Sequence, residues 1–227
     1  MLAERCPAEF VEGERGSKEQ YQKFHTTAHS WIEKYGQEVY DSAYTFAVVR
    51  HPLARQVSNF FFLAGLCLNN SLAVCYERKI PTHVEGVVIA EATDEQKISV
   101  FHEWLGKLYQ EYPTNSPDHY KFGSYGHGNE KYGTFNATQT SWLVDPRGEL
   151  AVKKVYKLEE LSDERTMTEL ADAIPCLKNS EGDISLRHDN ISPSYPHYML
   201  FAENANTKRI MNEVYAVDFR NFGYEIL

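Results

Sequence analysis

One stretch limits what this chain can fold into more than any other. It runs from Tyr44 to Leu66, YTFAVVRHPLARQVSNFFFLAGL. Phe46-Ala47-Val48-Val49 is a short apolar, β-prone run. Arg50 and His51 follow, and Pro52 stands where a helix can begin, since its missing N–H would have no partner in the first turn. Leu53, Val57, Phe60, Phe61 and Ala64 then recur at helical spacing. Strand, tight turn and amphipathic helix in that order are the grammar of an α/β unit. Arg50 falls at the carboxyl end of the strand, where open α/β sheets bind ligands. Ser58 lies about two turns into the helix, within reach of the same edge. A guanidinium presents a planar fork that matches two phosphate oxygens, so an arginine and a hydroxyl at such a junction suit an anion. The plainer alternative is that Arg50 and Arg55 are solvated surface charges and Ser58 a small packing residue.

At 227 residues the chain is expected to form one domain, and 42% hydrophobic content with 15 Tyr and 12 Phe supplies a substantial core. No apolar run is long enough to span a bilayer. The N-terminus lacks the charged-then-apolar pattern of a signal peptide. A net charge of −9 argues against a broad nucleic-acid footprint, which needs clustered Lys and Arg, but leaves room for one small anion in a local basic pocket. Cys6, Cys67, Cys75 and Cys176 form no C-x-x-C pair and are too scattered for a disulfide scaffold. Cys67 and Cys75 flank a short loop and are a candidate bridge in an oxidising lumen; free thiols are the alternative. N-glycosylation sequons at Asn69, Asn136 and Asn190 point weakly to a secretory route.

Residues 1–20 are polar and weakly patterned, and are expected to be a flexible lead-in. Gly13 to Lys18 has the wrong order for a phosphate loop, and no apolar strand precedes it. From Ala28, the positions of Trp31, Ile32 and Tyr35 predict a helix stopped by Gly36. Residues 67 to 94 read as irregular, with strand-prone Val87-Val88-Ile89. Asp94 to Tyr112 reads as a helix with Ile98, Phe101, Trp104, Leu105 and Leu108 on one face. His102 and Glu103 on it are expected to be exposed, since no ligand spacing completes a metal site. Pro113 to Thr134 is a long polar and aromatic loop, and long loops in compact domains are often functional. Asp145-Pro146-Arg147-Gly148 is a turn separating Trp142-Leu143-Val144 from a strand over Ala151 to Leu158. Ser162 or Asp163 caps the next helix, through about Ile174. Ala205 to Tyr224 reads as a last helix, with Ile210, Val214, Tyr215 and Phe219 on its inner face.

Taken together, several strings resemble one family. Arg50-His51-Pro52-Leu53-Ala54-Arg55-Gln56-Val57-Ser58 is similar to the 3′-phosphate-binding segment of the sulfotransferases, R-[NHD]-P-x-x-R-x-x-S after a strand. The nearest likeness is to the carbohydrate-acting, Golgi-type branch, where an aromatic run such as Phe60-Phe61-Phe62 often follows. His25-Thr26-Thr27-Ala28 resembles that branch's H-x-T-A helix start. Gln139 with Leu143, the Asp-Gly turn, and Leu158-Glu159-Glu160-Leu161 resemble its Q-x-x-x-L…L-E-x-L passage. Asn190 and Ser192 match an N-x-S stretch, and Tyr215, Asp218, Phe219, Phe222, Gly223 and Tyr224 complete Y-x-x-D-[FL]-x-x-F-G-Y. The matches run in order from His25 to Tyr224.

The resemblance implies an α/β sulfotransferase-like domain over 21–227, a mostly parallel sheet flanked by helices in a P-loop nucleotide-kinase-like arrangement. It implies sulfuryl transfer from 3′-phosphoadenosine-5′-phosphosulfate to a hydroxyl, with a carbohydrate as the expected acceptor, no metal, and a Golgi-lumenal or membrane-associated setting. Arg50, Ser58 and Arg55 would hold the 3′-phosphate. His25 would be the general base; helix capping or an ordinary polar position is the alternative. Tyr120, Phe122, Tyr125 and Tyr132 would either stack on sugar rings or pack their own loop. The family also grips the 5′-phosphosulfate with P-K-x-[AG]-[CGS]-T-S, a loop of backbone N–H groups at a helix start. That string does not occur N-terminal to His25. The expected fold therefore lacks an assigned first strand and loop. A catalytically inactive sulfotransferase-like binding domain, truncated or degenerate, is the alternative function, and a P-loop kinase the weakest one.

Overall fold

The structure, a computed structural model, describes residues 27–69, 80–111, 138–174 and 194–227. The lead-in, His25, the long aromatic loop, Asn190 and Ser192 lie outside the described residues. In chain order the helices and strands are α1 (Ala28–Tyr35), α2 (Gln37–Ser42), β1 (Phe46–Val49), α3 (Pro52–Asn69), β2 (His83–Val84), β3 (Val87–Val88), α4 (Asp94–Glu111), α5 (Thr140–Leu143), β4 (Lys154–Lys157), α6 (Glu164–Ala173), α7 (Ala205–Val214) and α8 (Ala216–Asn221). Short 3₁₀ turns occupy Ile89–Glu91, Leu158–Glu160 and Tyr198–Glu203. The protein is α/β, with a two-stranded parallel sheet among its described residues.

The described residues gather into two compact units. The first takes 27–50 and 138–174; the second takes 51–69, 80–111 and 194–227.

In the first unit, Thr27 caps α1 by accepting the Ser30 N–H at 3.1 Å, and Gly36 ends the helix at φ 86°, a left-handed conformation that glycine adopts without strain. Thr27 is thus the N-cap of α1, and the readings of His25 lie outside the described residues. β1 pairs in parallel with β4, from Phe46 opposite Lys154 to Val49 opposite Lys157. Tyr156 and Leu170 are buried together, and Phe46, Leu161 and Ile174 pack against them. Of the two cap candidates for α6, Asp163 is the one used; it accepts from the N–H groups of Arg165 and Thr166. The Asp145 turn forms as expected, with Val144 bridging Leu150 across it. Trp142 and Leu143, however, belong to the short helix α5, and the strand after the turn is shorter than the alternation suggested.

The second unit is organised around α3. Leu53, Val57, Phe60, Phe61 and Ala64, the predicted stripe, are all buried. Phe60 packs edge-on to Phe101 at 5.5 Å and against Trp104 at 4.7 Å, which brings the inner face of α4 onto α3. Phe61 stacks on Tyr195 at 5.0 Å and meets Phe201 at 6.0 Å. Residues 83–88 form a tight hairpin rather than irregular chain. Its two loop residues, Glu85 and Gly86, both have positive φ, the geometry that matches the twist of paired strands. His102 is half-buried, not exposed: its Nε2 lies 2.9 Å from the Phe201 carbonyl oxygen. The expected final helix is two, α7 and α8, broken at Tyr215 (φ −111°, ψ 16°). No Gly or Pro marks the break, and the apolar stripe of Ile210, Met211, Val214, Tyr215 and Phe219 is buried straight across it. Cys67 is disulfide-bonded, and its partner lies outside the described residues.

Candidate functional site

Arg50 follows the last residue of β1 and is a half-buried residue. Where its backbone points follows from the ladder. The Thr45 carbonyl accepts from the N–H groups of Lys153 and Lys154, at 3.0 and 3.2 Å, on the β4 side. In a parallel ladder, successive residues direct their N–H and C=O groups to alternate edges. Thr45, Ala47 and Val49 therefore face β4, while Arg50 faces the opposite edge. Gln139 meets it there. The Arg50 N–H donates to Gln139 Oε1 at 2.9 Å, and Gln139 Nε2 donates to the Arg50 carbonyl at 2.8 Å. One side-chain amide thus pairs with both backbone groups of Arg50, as a neighbouring strand would.

Gln139 is itself firmly seated. Its carbonyl accepts the Trp142 N–H at 3.1 Å. Thr138 Oγ1 accepts the Ser141 N–H at 3.1 Å, and Ser141 Oγ donates to the Thr138 carbonyl at 2.7 Å. Thr138, Gln139, Thr140 and Ser141 are all buried, a polar run inside the first unit, and α5 packs on α1. Buried polar groups are almost always hydrogen-bonded, and here the bonds close the run on itself and on Arg50.

Arg55 and Ser58 belong to the second unit. His51 is the N-cap of α3, its carbonyl accepting the Arg55 N–H at 2.9 Å, and Pro52 occupies the first helical position. Arg55 and Ser58 are half-buried and three residues apart, neighbours on one helix face. The His51 ring is buried among aromatic rings: Tyr198 at 4.9 Å, Tyr224 at 5.3 Å and Phe219 at 5.5 Å. Beside it lies a cleft of about 520 Å³ lined by His51, Tyr198, Met199, Lys208, Tyr224 and Glu225, among others. That volume falls within the range of small-molecule sites, roughly 300–1,000 Å³.

Of the residues singled out from sequence, Arg50 is described in the first unit, and Arg55 and Ser58 together in the second; His25 lies outside the described residues. Two residues were not foreseen in their present roles. In sequence Gln139 reads only as a motif position, although a polar T-Q-T-S run leading into Trp142-Leu143-Val144 is a signal for buried hydrogen bonding. In sequence His51 reads only as the turn residue and second position of the R-[NHD]-P string. Among the described residues no group of three or more His, Cys, Asp or Glu side chains could hold a metal ion. No described helix is long and apolar enough to cross a membrane.

Comparison with protein-family models, with curated proteins and with solved structures finds no match for this chain. What the geometry offers chemically is a permanently charged, fork-shaped donor at a strand end whose backbone is clamped on two atoms.

Proposed function

We propose that the chain is a sulfotransferase that moves a sulfuryl group from 3′-phosphoadenosine-5′-phosphosulfate to a carbohydrate hydroxyl. In this reading the fold is the P-loop nucleotide-kinase-like arrangement with a mostly parallel sheet, and Arg50, Ser58 and Arg55 bind the 3′-phosphate. His25 takes the proton of the acceptor hydroxyl. The acceptor oxygen forms the new S–O bond as the S–O bond to the bridging phosphate oxygen breaks, and adenosine 3′,5′-bisphosphate leaves. Positioning and charge stabilisation dominate such a transfer, by analogy with phosphoryl transfer. No metal takes part.

The observation that carries this reading is the placement of Arg50 just past the end of a parallel strand, two residues before the helix bearing Arg55 and Ser58. The string around it resembles the family's 3′-phosphate segment. The disulfide at Cys67 supports an oxidising, lumenal setting. Calorimetric titration with adenosine 3′,5′-bisphosphate tests the reading: binding is expected, and its absence counts against it.

A further inference from the structure

We infer that Gln139 is the positioning residue of the anion site: it fixes the backbone of Arg50 so that the guanidinium is presented in one orientation. The inference deepens the nucleotide reading above and rests on it.

Arg50 is the point where β1 stops and the chain turns toward α3. Pairing with β4 ends one residue earlier, at Val49 opposite Lys157. The backbone direction at that position limits where a long flexible side chain can go. Gln139 bonds both backbone groups of Arg50, 2.9 Å from the N–H and 2.8 Å to the carbonyl. Only a side chain carrying a donor and an acceptor on one planar group can do this. Asn has the same amide on a shorter stem, Glu accepts but does not donate, and Leu does neither. The buried run around Gln139 would hold its amide in place whether or not a ligand is bound, so the bond pair is preorganised.

Gln139 does not touch the phosphate in this account; it acts through Arg50. Its signature is therefore coupling. The test uses the full chain, adenosine 3′,5′-bisphosphate as the probe, and four proteins: wild type, Gln139→Leu, Arg50→Ala and the double variant. Gln139→Glu is carried alongside, in case the leucine fails to fold. Arg50 amide hydrogen exchange, followed by NMR, reports the clamp without any ligand. The expected result is faster exchange at the Arg50 N–H and roughly tenfold weaker bisphosphate binding in Gln139→Leu. In the Arg50→Ala background the same change should alter binding by less than about twofold, since the group it positions is gone. Gln139→Glu keeps the acceptor for the Arg50 N–H and should fall between. Wild-type binding with equal affinity in Gln139→Leu and Gln139→Glu overturns the role of Gln139 alone. Equal losses in the presence and absence of the Arg50 side chain overturn it as well, since they show a general structural effect. A wild type that does not bind the bisphosphate overturns the nucleotide reading, and the role of Gln139 in it, even if the Arg50 amide is protected.

Discussion

Tyr44 and Tyr156 meet hydroxyl to hydroxyl at 3.0 Å, joining the chain just before β1 to the middle of β4. The Tyr156 side chain is buried, with Phe46 edge-on to its ring at 6.2 Å and the Lys154 ammonium 5.3 Å from its ring centre. Burial, then the bond to Tyr44, push the Tyr156 phenol far above its ordinary value. The folded state therefore binds that proton more tightly than the unfolded one. The linked stability is complete below the unfolded value, about pH 10, and is lost as pH rises beyond it. Tyr156→Phe should cost about 0.5–1.5 kcal/mol at pH 7, because the exposed Tyr44 hydroxyl can turn to water. It should also flatten the alkaline limb of a stability–pH curve measured by urea unfolding. An unchanged alkaline limb would show that another group controls it.

Acid should act through Asp145. Its Oδ1 accepts the Arg147 N–H at 2.8 Å and the Glu149 N–H at 3.0 Å, while Oδ2 takes the Arg147 Nε–H at 3.1 Å. The Glu149 bond is the largest influence and the Arg147 bonds add to it, so the carboxyl is held below its usual range. A lowered folded value means stability that is present above the unfolded pKa, about 4, and is lost as pH falls below it. Asp145→Asn keeps an acceptor but no charge, and should make the melting temperature less dependent on pH between pH 5 and pH 2. Melting curves of the two proteins that fall in parallel over that window would exclude the role.

Phe60 is the centre of the second unit's core, fully buried and in contact with the rings of Phe61, Phe101 and Trp104. Phe60→Ala should cost about 3–5 kcal/mol, the usual loss for a buried aromatic that leaves a cavity. Phe60→Leu should cost considerably less, because most of the volume is kept. Denaturant unfolding of both variants checks the order; a near-neutral alanine would mean that the unit's stability lies elsewhere.

Hydrophobic period carried the sequence reading furthest. The stripe Leu53, Val57, Phe60, Phe61 and Ala64 needs only 3.6-residue spacing to be seen, and it is buried as expected. Local cap chemistry was equally legible at Gly36 and Asp163, because the responsible atoms are close in sequence. The break at Tyr215 was not, since no residue there opposes a helix and tertiary packing decides the bend. Gln139 escaped for a different reason. Its partner Arg50 lies 89 residues away, and a side-chain amide standing in for a strand leaves no periodic trace. His51 shows the same limit: its rings come from positions 198, 219 and 224, which only the fold assembles.

The proposed nucleotide site requires that Arg50 grip a ribose-linked phosphate. Calorimetric titration of wild type and Arg50→Ala with adenosine 3′,5′-bisphosphate, at one fixed ionic strength, measures that directly. Wild type should bind, and removal of the guanidinium should cost roughly 1.5–3 kcal/mol, the worth of a charge-assisted hydrogen bond. Equal affinity in the two proteins, both folded by circular dichroism, would contradict it.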